Sequence, residues 1–179
     1  MTKKIVFLDF DGVVRLIPSL EDDPRLIIPA PEFDQEKLRM LSEWCAEAEA
    51  KIVVSSDLRV INTLEETSNY EEVLGWLQPG IGVDTIHEDW ATPIRGHRWK
   101  EIMIWLSHHP EVTDYVIIDD FLKHFEDAPE DLKRRLVLTS NRFGVLPKHK
   151  NVILKILGHA NYQNEPVLWG DQDVRDSDL

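Results

Sequence analysis

The sequence contains a single cysteine, Cys45, among 179 residues. One cysteine cannot build an internal disulfide framework, and it excludes a zinc site made of cysteines alone. No apolar run approaches the roughly 20 residues that a membrane-spanning helix needs. The apolar run near the N-terminus is short and is interrupted by Asp9, so it does not resemble a secretory signal. These absences predict a soluble, cytoplasmic protein that does not enter a membrane.

Positive charge is scarce as well. The chain has 20 Lys and Arg against 33 Asp and Glu, which gives a formal net charge of −13. This balance disfavours nonspecific binding to duplex nucleic acid, because neutralising backbone phosphates takes clustered Lys and Arg. A protein of this composition that handles phosphate must concentrate its few cations near the site. Part of the acidic charge lies in DQDVRDSDL (171–179), so residues 163–179 are expected to form a flexible acidic tail.

What is present is a regular alternation of apolar runs and helical patterns over residues 1–162, expected to form one domain. The expected strands are 5–8, 51–54, 82–86, 115–118 and 135–138. Helical patterns lie within 34–50, 57–78, 97–107 and 152–160. One-for-one alternation with continuous apolar strands predicts an α/β fold, a Rossmann-like doubly wound parallel sheet covered on both faces.

Acids or hydroxyls follow three of the expected strands. They are Asp9 and Asp11 after the first strand, Ser55 and Ser56 after the second, and Asp119 and Asp120 after a later one. In an open parallel sheet, ligands bind outside the carboxyl ends of the strands, so these distant residues can converge there. Carboxylates gathered in one crevice repel each other, and a hard divalent cation with oxygen ligands, such as Mg²⁺, neutralises them.

These segments resemble the motifs of the haloacid dehalogenase (HAD) superfamily of phosphatases and phosphotransferases. FLDFDGVV (7–14) is similar to the first motif, VVSS (53–56) to the second and IIDD (117–120) to the fourth, in the same order. More narrowly, VVSSDLR, the stretch 91–106 and LTSNRFGVL (138–146) resemble a small, minimally capped subgroup associated with RNA-repair proteins. The superfamily resemblance covers about residues 4–157.

The resemblance implies a magnesium-dependent phosphomonoesterase. Asp9 would be the nucleophile that forms an aspartyl-phosphate, and Asp11 the general acid and base. Ser55 would bind a phosphoryl oxygen. The implied magnesium ligands are Asp9, Asp11, Asp119 and Asp120, with Asp120 favoured over Asp119 as the direct ligand. The expected substrate contacts are Gly12, which also permits the tight turn after the strand, Ser56 and Arg59.

The third motif supplies a Lys or Arg near the start of the helix before the acid pair, where it offsets phosphate charge. Arg95, Arg98 and Lys100 compete for this catalytic role. Arg98 is favoured because it lies three residues before Glu101, as in the subgroup pattern, and Lys100 is the second choice.

The motifs also have structural explanations when each is taken alone. Ser55 and Ser56 could satisfy backbone groups at a strand end, and the acid pair could cap a helix that begins near Phe121. The alternative function is therefore a catalytically weak or inactive HAD-like scaffold that binds a phosphorylated partner. A phosphorylated receiver domain is disfavoured because its acid pair would precede the phosphorylated Asp.

Substrate choice in this fold comes from cap insertions. The segment between Gly12 and the first helix is too short for a full cap domain, and it is expected to fold as a hairpin or loop. An open site favours bulky substrates over small metabolites. The favoured substrate is therefore a phosphorylated nucleotide or polynucleotide end, although the net charge argues in the other direction.

Overall fold

The computed structural model describes residues 3–16, 32–60 and 70–160. The strands are β1 (Lys3–Leu8), β2 (Ala50–Val54), β3 (Ile86–Ala91), β4 (Val112–Asp119) and β5 (Leu136–Leu138). The helices are α1 (Gln35–Ala48), α2 (Tyr70–Leu77), α3 (Arg98–His108), α4 (Glu130–Lys133) and α5 (Lys150–Ile156). Short 3₁₀ turns occupy Asp57–Val60, Val83–Thr85, Leu122–Phe125 and Pro147–His149.

The five strands form one sheet in the order β3-β2-β1-β4-β5, and every described pairing is parallel. This is the Rossmann-like order, in which the chain builds outward from β1 first on one side and then on the other. The predicted α/β fold is confirmed. No described helix has both the length and the apolar character that crossing a membrane would require.

Alternate residues of β1 show how the sheet is covered. Val6 and Leu8 pack in a core cluster with α1, α2 and α5, whereas Ile5 and Phe7 pack in a second cluster with α3 and α4. Successive side chains of a strand point to opposite faces, so the two clusters lie on opposite sides of the sheet. All four side chains are buried, which is why the strand reads as a continuous apolar run.

Local sequence sets the ends of α1. The Asp34 carboxylate accepts hydrogen bonds from the main-chain N–H groups of Glu36 and Lys37 at 3.0 and 3.1 Å, as an N-cap does. At the other end Glu49 adopts a left-handed conformation with φ 57°, which lets the chain turn directly into β2.

The third strand differs from the sequence-based expectation. It was expected at 82–86, but Val83–Thr85 forms a 3₁₀ turn and β3 runs from Ile86 to Ala91. β3 lies at the edge of the sheet, and Glu88 and Asp89 in it are exposed. Polar residues on an edge strand remove the apolar signal that marks a buried one.

Other segments were expected in a different form. The last helix ends at Ile156 and not near 160, and the short helix α4 had no clear sequence signal. Of the helical pattern within 57–78, residues 61–69 lie outside the described part of the chain. So do most of the expected hairpin or loop after Gly12 and the whole expected tail, so the division at residue 162 stays a prediction.

The turn after β5 packs against the loop after β1. Val145 donates its main-chain N–H to the carbonyl of Val13 at 2.8 Å, and Gly144 has φ +62°. A Cβ added at Gly144 would overlap the Val13 carbonyl oxygen. A glycine is therefore required here both by its backbone conformation and by the close approach of another chain segment.

We expect Gly144→Ala to lower the free energy of unfolding by about 1–3 kcal/mol, because it adds left-handed strain and a backbone overlap. Gly75→Ala is the matched control. Gly75 is exposed within α2, and a Cβ there meets nothing within 4 Å, so this change should stabilise by about 0.5–1 kcal/mol. Urea unfolding of both variants checks the opposite signs. Equal effects would contradict the packing described for the turn.

Candidate functional site

The register of the sheet brings three polar side chains to one level. Leu8 of β1 is aligned with Val54 of β2 and with Ile118 of β4. The residues that follow them are Asp9, Ser55 and Asp119. The main-chain N–H of Asp9 bonds to the Ile118 carbonyl at 3.0 Å, and that of Ser55 bonds to the Leu8 carbonyl at 2.9 Å, so the ladder continues past the strand ends.

The alternation of side chains decides the face on which this group lies. Phe7, Val53 and Ile117, two residues earlier in each strand, all belong to the core cluster that α3 covers. By the two-residue period, Asp9, Ser55 and Asp119 belong to the same face. The first turn of α3 also lies on this side, and it carries Arg98.

Arg98 is the cation of the site. Its Nη1 lies 3.0 Å from Asp9 Oδ1 and 3.2 Å from Asp119 Oδ2, and its Nη2 lies 3.5 Å from Asp57 Oδ1. Arg98, Asp9 and Asp119 are all buried, whereas the Asp57 side chain is 83% exposed. Burial opposes the charge of Arg98, but the three carboxylates outweigh it and raise the pKa of its guanidinium.

Asp9, Asp119 and Asp120 form a cluster of carboxylates. One oxygen from each lies within 4.8 Å of the others. Burial raises the pKa of Asp9, with a further rise from Asp119, although Arg98 opposes both. Burial also raises the pKa of Asp120 to about 6, and the charges of Asp9 and Asp119 add to the rise. Raised pKa values mean that the charged carboxylates are poorly compensated in the metal-free protein.

The two acids of the pair differ in their surroundings. Asp119 is held by the protein: its Oδ1 accepts the main-chain N–H of Phe121 at 2.8 Å and lies 3.6 Å from His124 Nδ1, while its Oδ2 faces Arg98. The nearby Asp119 carboxylate raises the pKa of His124. Among the described residues, no Lys or Arg pairs with Asp120. Asp120 is thus the acid of the pair that lacks a counter-charge.

Gly12 makes room for Asp120. It has φ +67°, and a Cβ built there would overlap the Asp120 carboxylate. The Gly12 carbonyl accepts a hydrogen bond from the Thr139 hydroxyl at 2.8 Å, and the Thr139 N–H bonds to the carbonyl of Asp119 at 3.0 Å. The loop that contains Gly12, the acids Asp119 and Asp120, and the residue after β5 therefore pack closely together.

The donor set suits a hard divalent cation. Three carboxylates lie close together, two of them with raised pKa values, and the cationic side chains that pair with them among the described residues are Arg98 and the partly buried His124. Closely spaced oxygen ligands of this kind fit Mg²⁺ or Ca²⁺ better than the sulfur and imidazole sets preferred by softer metals. The cluster could hold one such ion.

The structure does not bring the carboxylate of Asp11 into this cluster, although Asp11 was expected to be a metal ligand. Its Oδ1 pairs instead with Nη1 of Arg15, four residues later in the sequence, at 3.0 Å. Burial raises the pKa of Asp11 even so, while Arg15 and Arg98 oppose the rise. Asp11 is half-buried and stands beside the cluster, where a group that exchanges protons would have to stand.

The two serines after β2 have different surroundings. The Ser55 hydroxyl is fully buried, and no described residue forms a hydrogen bond with it. Such a buried hydroxyl needs a partner, and the oxygen of a bound ligand could provide one. The Ser56 hydroxyl was expected to contact substrate. It accepts a hydrogen bond from the main-chain N–H of Leu58 at 3.3 Å and so stabilises the turn after β2, whereas the Ser55 hydroxyl makes no such bond.

The structure separates the three candidates for the third motif. Arg98 points into the cluster, whereas Lys100 is exposed and its ammonium lies 5.4 Å from the centre of the Trp99 ring. Arg95 is also exposed, and its main-chain N–H bonds to the Glu101 carboxylate. One face of a helix points inward, so of two cations placed two residues apart only one can reach the site.

Arg59, expected to contact substrate, is turned into the protein. Its guanidinium bonds to the Glu101 carboxylate and to main-chain carbonyls of the loops after β2 and β3. Sequence reasoning used Glu101 only as a spacing marker and gave no role to Asp57, His124 or Arg15. For Glu101 the available signal was a charged residue on the inward face of a helix, which is rarely buried without a partner.

Comparison with known families agrees with this geometry. A family model described as the HAD domain in Swiss Army Knife RNA repair proteins matches residues 5–149. The chain belongs to this family. The matched span contains every polar residue of the site described above, and it confirms the resemblance inferred from the motifs. Neither the curated proteins nor the solved structures yielded a match. A HAD-type phosphatase scaffold is thereby established for the chain.

Asp120→Asn should stabilise the metal-free protein at neutral pH. The folded-state pKa of Asp120 is raised from 3.8 to about 6. The wild type therefore loses stability as the pH rises through about 6, whereas the Asp120→Asn variant, which has no carboxylate at this position, keeps that stability. The site is partly open to solvent, so we expect a gain of only about 1 kcal/mol at pH 7.5 that disappears near pH 4.

Thermal unfolding in the presence of a chelator, measured from pH 4 to 8, tests this expectation. Asp84→Asn is the control, because it removes an exposed acid in the 3₁₀ turn before β3. Adding Mg²⁺ should reverse the order by stabilising the wild type more than Asp120→Asn. A variant that is less stable than the wild type in chelator at pH 7.5 would contradict the poor compensation of Asp120.

Proposed function

We propose that the protein is a magnesium-dependent phosphomonoesterase that works through an aspartyl-phosphate on Asp9. The observation that carries this proposal is the cluster of Asp9, Asp119 and Asp120 around a buried arginine, beside a buried hydroxyl with no described partner. A phosphoryl group is rich in oxygens and negative charge, so it would need the cation, the hydroxyl and the metal that this cluster could supply.

Asp9, Asp119 and Asp120 are the residues that would hold Mg²⁺. The ion, when bound, would neutralise these carboxylates and the charge of the phosphate, so that an anionic nucleophile can approach an anionic substrate. Asp120 is the favoured direct ligand of the acid pair, because Asp119 already accepts hydrogen bonds from the protein.

The first step is attack by the Asp9 carboxylate on phosphorus. A bond forms between the Asp9 oxygen and phosphorus, and the bond from phosphorus to the ester oxygen breaks. Asp11, whose pKa is raised by burial, donates its proton to the leaving alcohol. Arg98 and the Ser55 hydroxyl bind phosphoryl oxygens as charge develops on them.

The second step returns the enzyme to its starting state. Asp11, now ionised, takes a proton from a water molecule that attacks phosphorus. The bond between phosphorus and Asp9 breaks, and inorganic phosphate leaves. One water is consumed for each alcohol and phosphate released, and both carboxyls regain their original protonation.

Asp9→Asn should lower phosphate release from p-nitrophenyl phosphate by about a thousandfold or more, because an amide cannot act as the nucleophile. Lys100→Ala is the control: Lys100 is exposed and points away from the cluster, so activity should stay within about twofold. The measurement is release of p-nitrophenol with and without Mg²⁺.

The same measurement tests the alternative, a catalytically weak or inactive scaffold that binds a phosphorylated partner. Such a scaffold would release little or no phosphate from any ester, yet it would still bind phosphate analogues. Unchanged turnover by Asp9→Asn would remove the proposed nucleophile.

We further propose that the natural substrate is a phosphorylated nucleic-acid end. The family description refers to RNA repair proteins. The described rim of the site offers exposed groups that could contact a chain of nucleotides: Phe121 and Leu122 follow the acid pair, and Arg142 lies over Phe143 in the turn after β5. Aromatic side chains and arginine are the groups on which bases stack.

A panel of substrates tests this proposal. RNA and DNA oligonucleotides with a 3′- or 5′-phosphate should be hydrolysed with kcat/KM at least about tenfold above mononucleotides, phosphopeptides and sugar phosphates, because only they carry several bases that can stack along the rim. Asp9→Asn provides the blank for each substrate. A sugar phosphate or phosphopeptide as the best substrate would overturn the assignment but leave the phosphatase chemistry intact.

A further inference from the structure

The guanidinium of Arg59 connects three separate segments. An arginine has five N–H donors, and here each of them has an acceptor within the protein. Nε bonds to the Thr92 carbonyl at 2.9 Å, and the two N–H groups of Nη1 reach the carbonyls of Ser55 and Ser56. Nη2 bonds to Glu101 Oε2 at 2.6 Å and lies 3.5 Å from the carbonyl of Pro93. No donor is left over for a substrate phosphate.

Glu101 extends the connection to the start of α3. Its other oxygen, Oε1, accepts the main-chain N–H groups of Arg95 and Gly96 at 2.7 and 3.1 Å. The N-cap residue of this helix, His97, forms no capping hydrogen bond with its side chain. The carboxylate of Glu101 therefore fixes the loop that leads into α3, and the first residue of that helix is Arg98.

Both partners are almost completely shielded from water, each with a side chain 3% exposed. A charge pair in such surroundings interacts strongly, and loss of one partner leaves the other buried without compensation. The pair links the loop that presents Ser55 with the helix that presents Arg98, and the contact between Asp57 and Arg98 at 3.5 Å is a second, more exposed link. Ser55 continues the ladder beyond β2, but Arg98 begins the helix after β3, so the sheet alone does not set the distance between them.

We propose that the Arg59–Glu101 ion pair positions the Ser55 hydroxyl and the Arg98 guanidinium relative to each other, so that both can bind one phosphoryl group. This inference rests on the proposed phosphatase function. Arg59 and Glu101 act here as positioning residues and do not contact the substrate. The carboxylates that would hold Mg²⁺ come from β1 and β4, and their placement does not depend on this pair.

Loss of the ion pair should weaken the binding of a phosphate analogue but not the binding of Mg²⁺, whereas a general loss of structure would weaken both. Orthovanadate mimics the phosphoryl group in transfer and would contact Ser55 and Arg98. In Glu101→Gln, the amide oxygen can still accept from the loop, but the amide N–H₂ now faces Arg59 Nη2 in place of a carboxylate oxygen. We expect the Kd of orthovanadate, measured by calorimetry in Mg²⁺, to rise at least about tenfold. The Kd of Mg²⁺ should not rise by more than about twofold, because the carboxylates stay in place.

Arg59→Lys provides a second variant, since lysine keeps the charge but cannot reach the same set of carbonyls. It should weaken orthovanadate binding in the same way, and it carries the measurement should Glu101→Gln fail to fold. Ile153→Ala in α5, on the opposite face of the sheet, is the matched control for loss of stability, because truncating this buried side chain has a similar cost. It should leave both affinities unchanged at a comparable fall in Tm.

The outcomes separate the two levels of the proposal. An active wild type whose folded variants bind orthovanadate as tightly as before overturns the positioning role and leaves the proposed function standing. A parallel loss of orthovanadate and Mg²⁺ affinity overturns it as well, because it marks a general loosening. A wild type that hydrolyses no phosphate ester of the panel overturns the proposed function, and the positioning role with it.

Discussion

The repulsion between carboxylates at the carboxyl edge of the sheet is the constraint around which the site is arranged. Parallel register places Asp9 beside Asp119, and the residue after Asp119 adds another acid. Three carboxylates whose oxygens lie within 4.8 Å of each other repel one another unless positive charge is nearby. Among the described residues, Arg98 supplies part of that charge, and a bound cation would supply more.

The sheet aligns the acids and Ser55, but Arg98 comes from the connection between β3 and β4. The main-chain N–H of Ser55 bonds to the Leu8 carbonyl and so extends the ladder, whereas Arg98 begins the helix after β3, and the ladder does not fix its position. Hydrogen bonds from buried polar groups take over that task outside the sheet. The need to position Arg98 explains why Arg59 and Glu101 are buried as an ion pair, although removing two charges from water costs desolvation energy.

Patterns in the sequence predicted the sheet and the acids at the strand ends, because both depend on local order along the chain. The resemblance to the family favoured Arg98, and its side chain does lie beside these acids. Hydrophobic runs mark buried strands, and the residue after such a run lies at the edge where ligands bind. The third strand was placed too early because an edge strand with exposed acids lacks that signal. Arg59 was predicted to contact substrate because it lies four residues after Ser55. That spacing indicates that the two residues are close, but it does not give the direction in which the guanidinium points.

The spacing of residues along the sequence does not predict the direction in which a side chain points. Asp11 and Asp9 are two residues apart, yet only Asp9 joins the acid cluster, because the chain leaves the strand at Phe10 and Asp11 pairs with Arg15 in the loop. That departure from the strand is what allows two neighbouring aspartates to differ chemically. Asp9 is held between a cation and other carboxylates, where it would remain a nucleophile. Asp11 stands half-exposed beside them, where it would exchange protons with water and a leaving group in the proposed reaction.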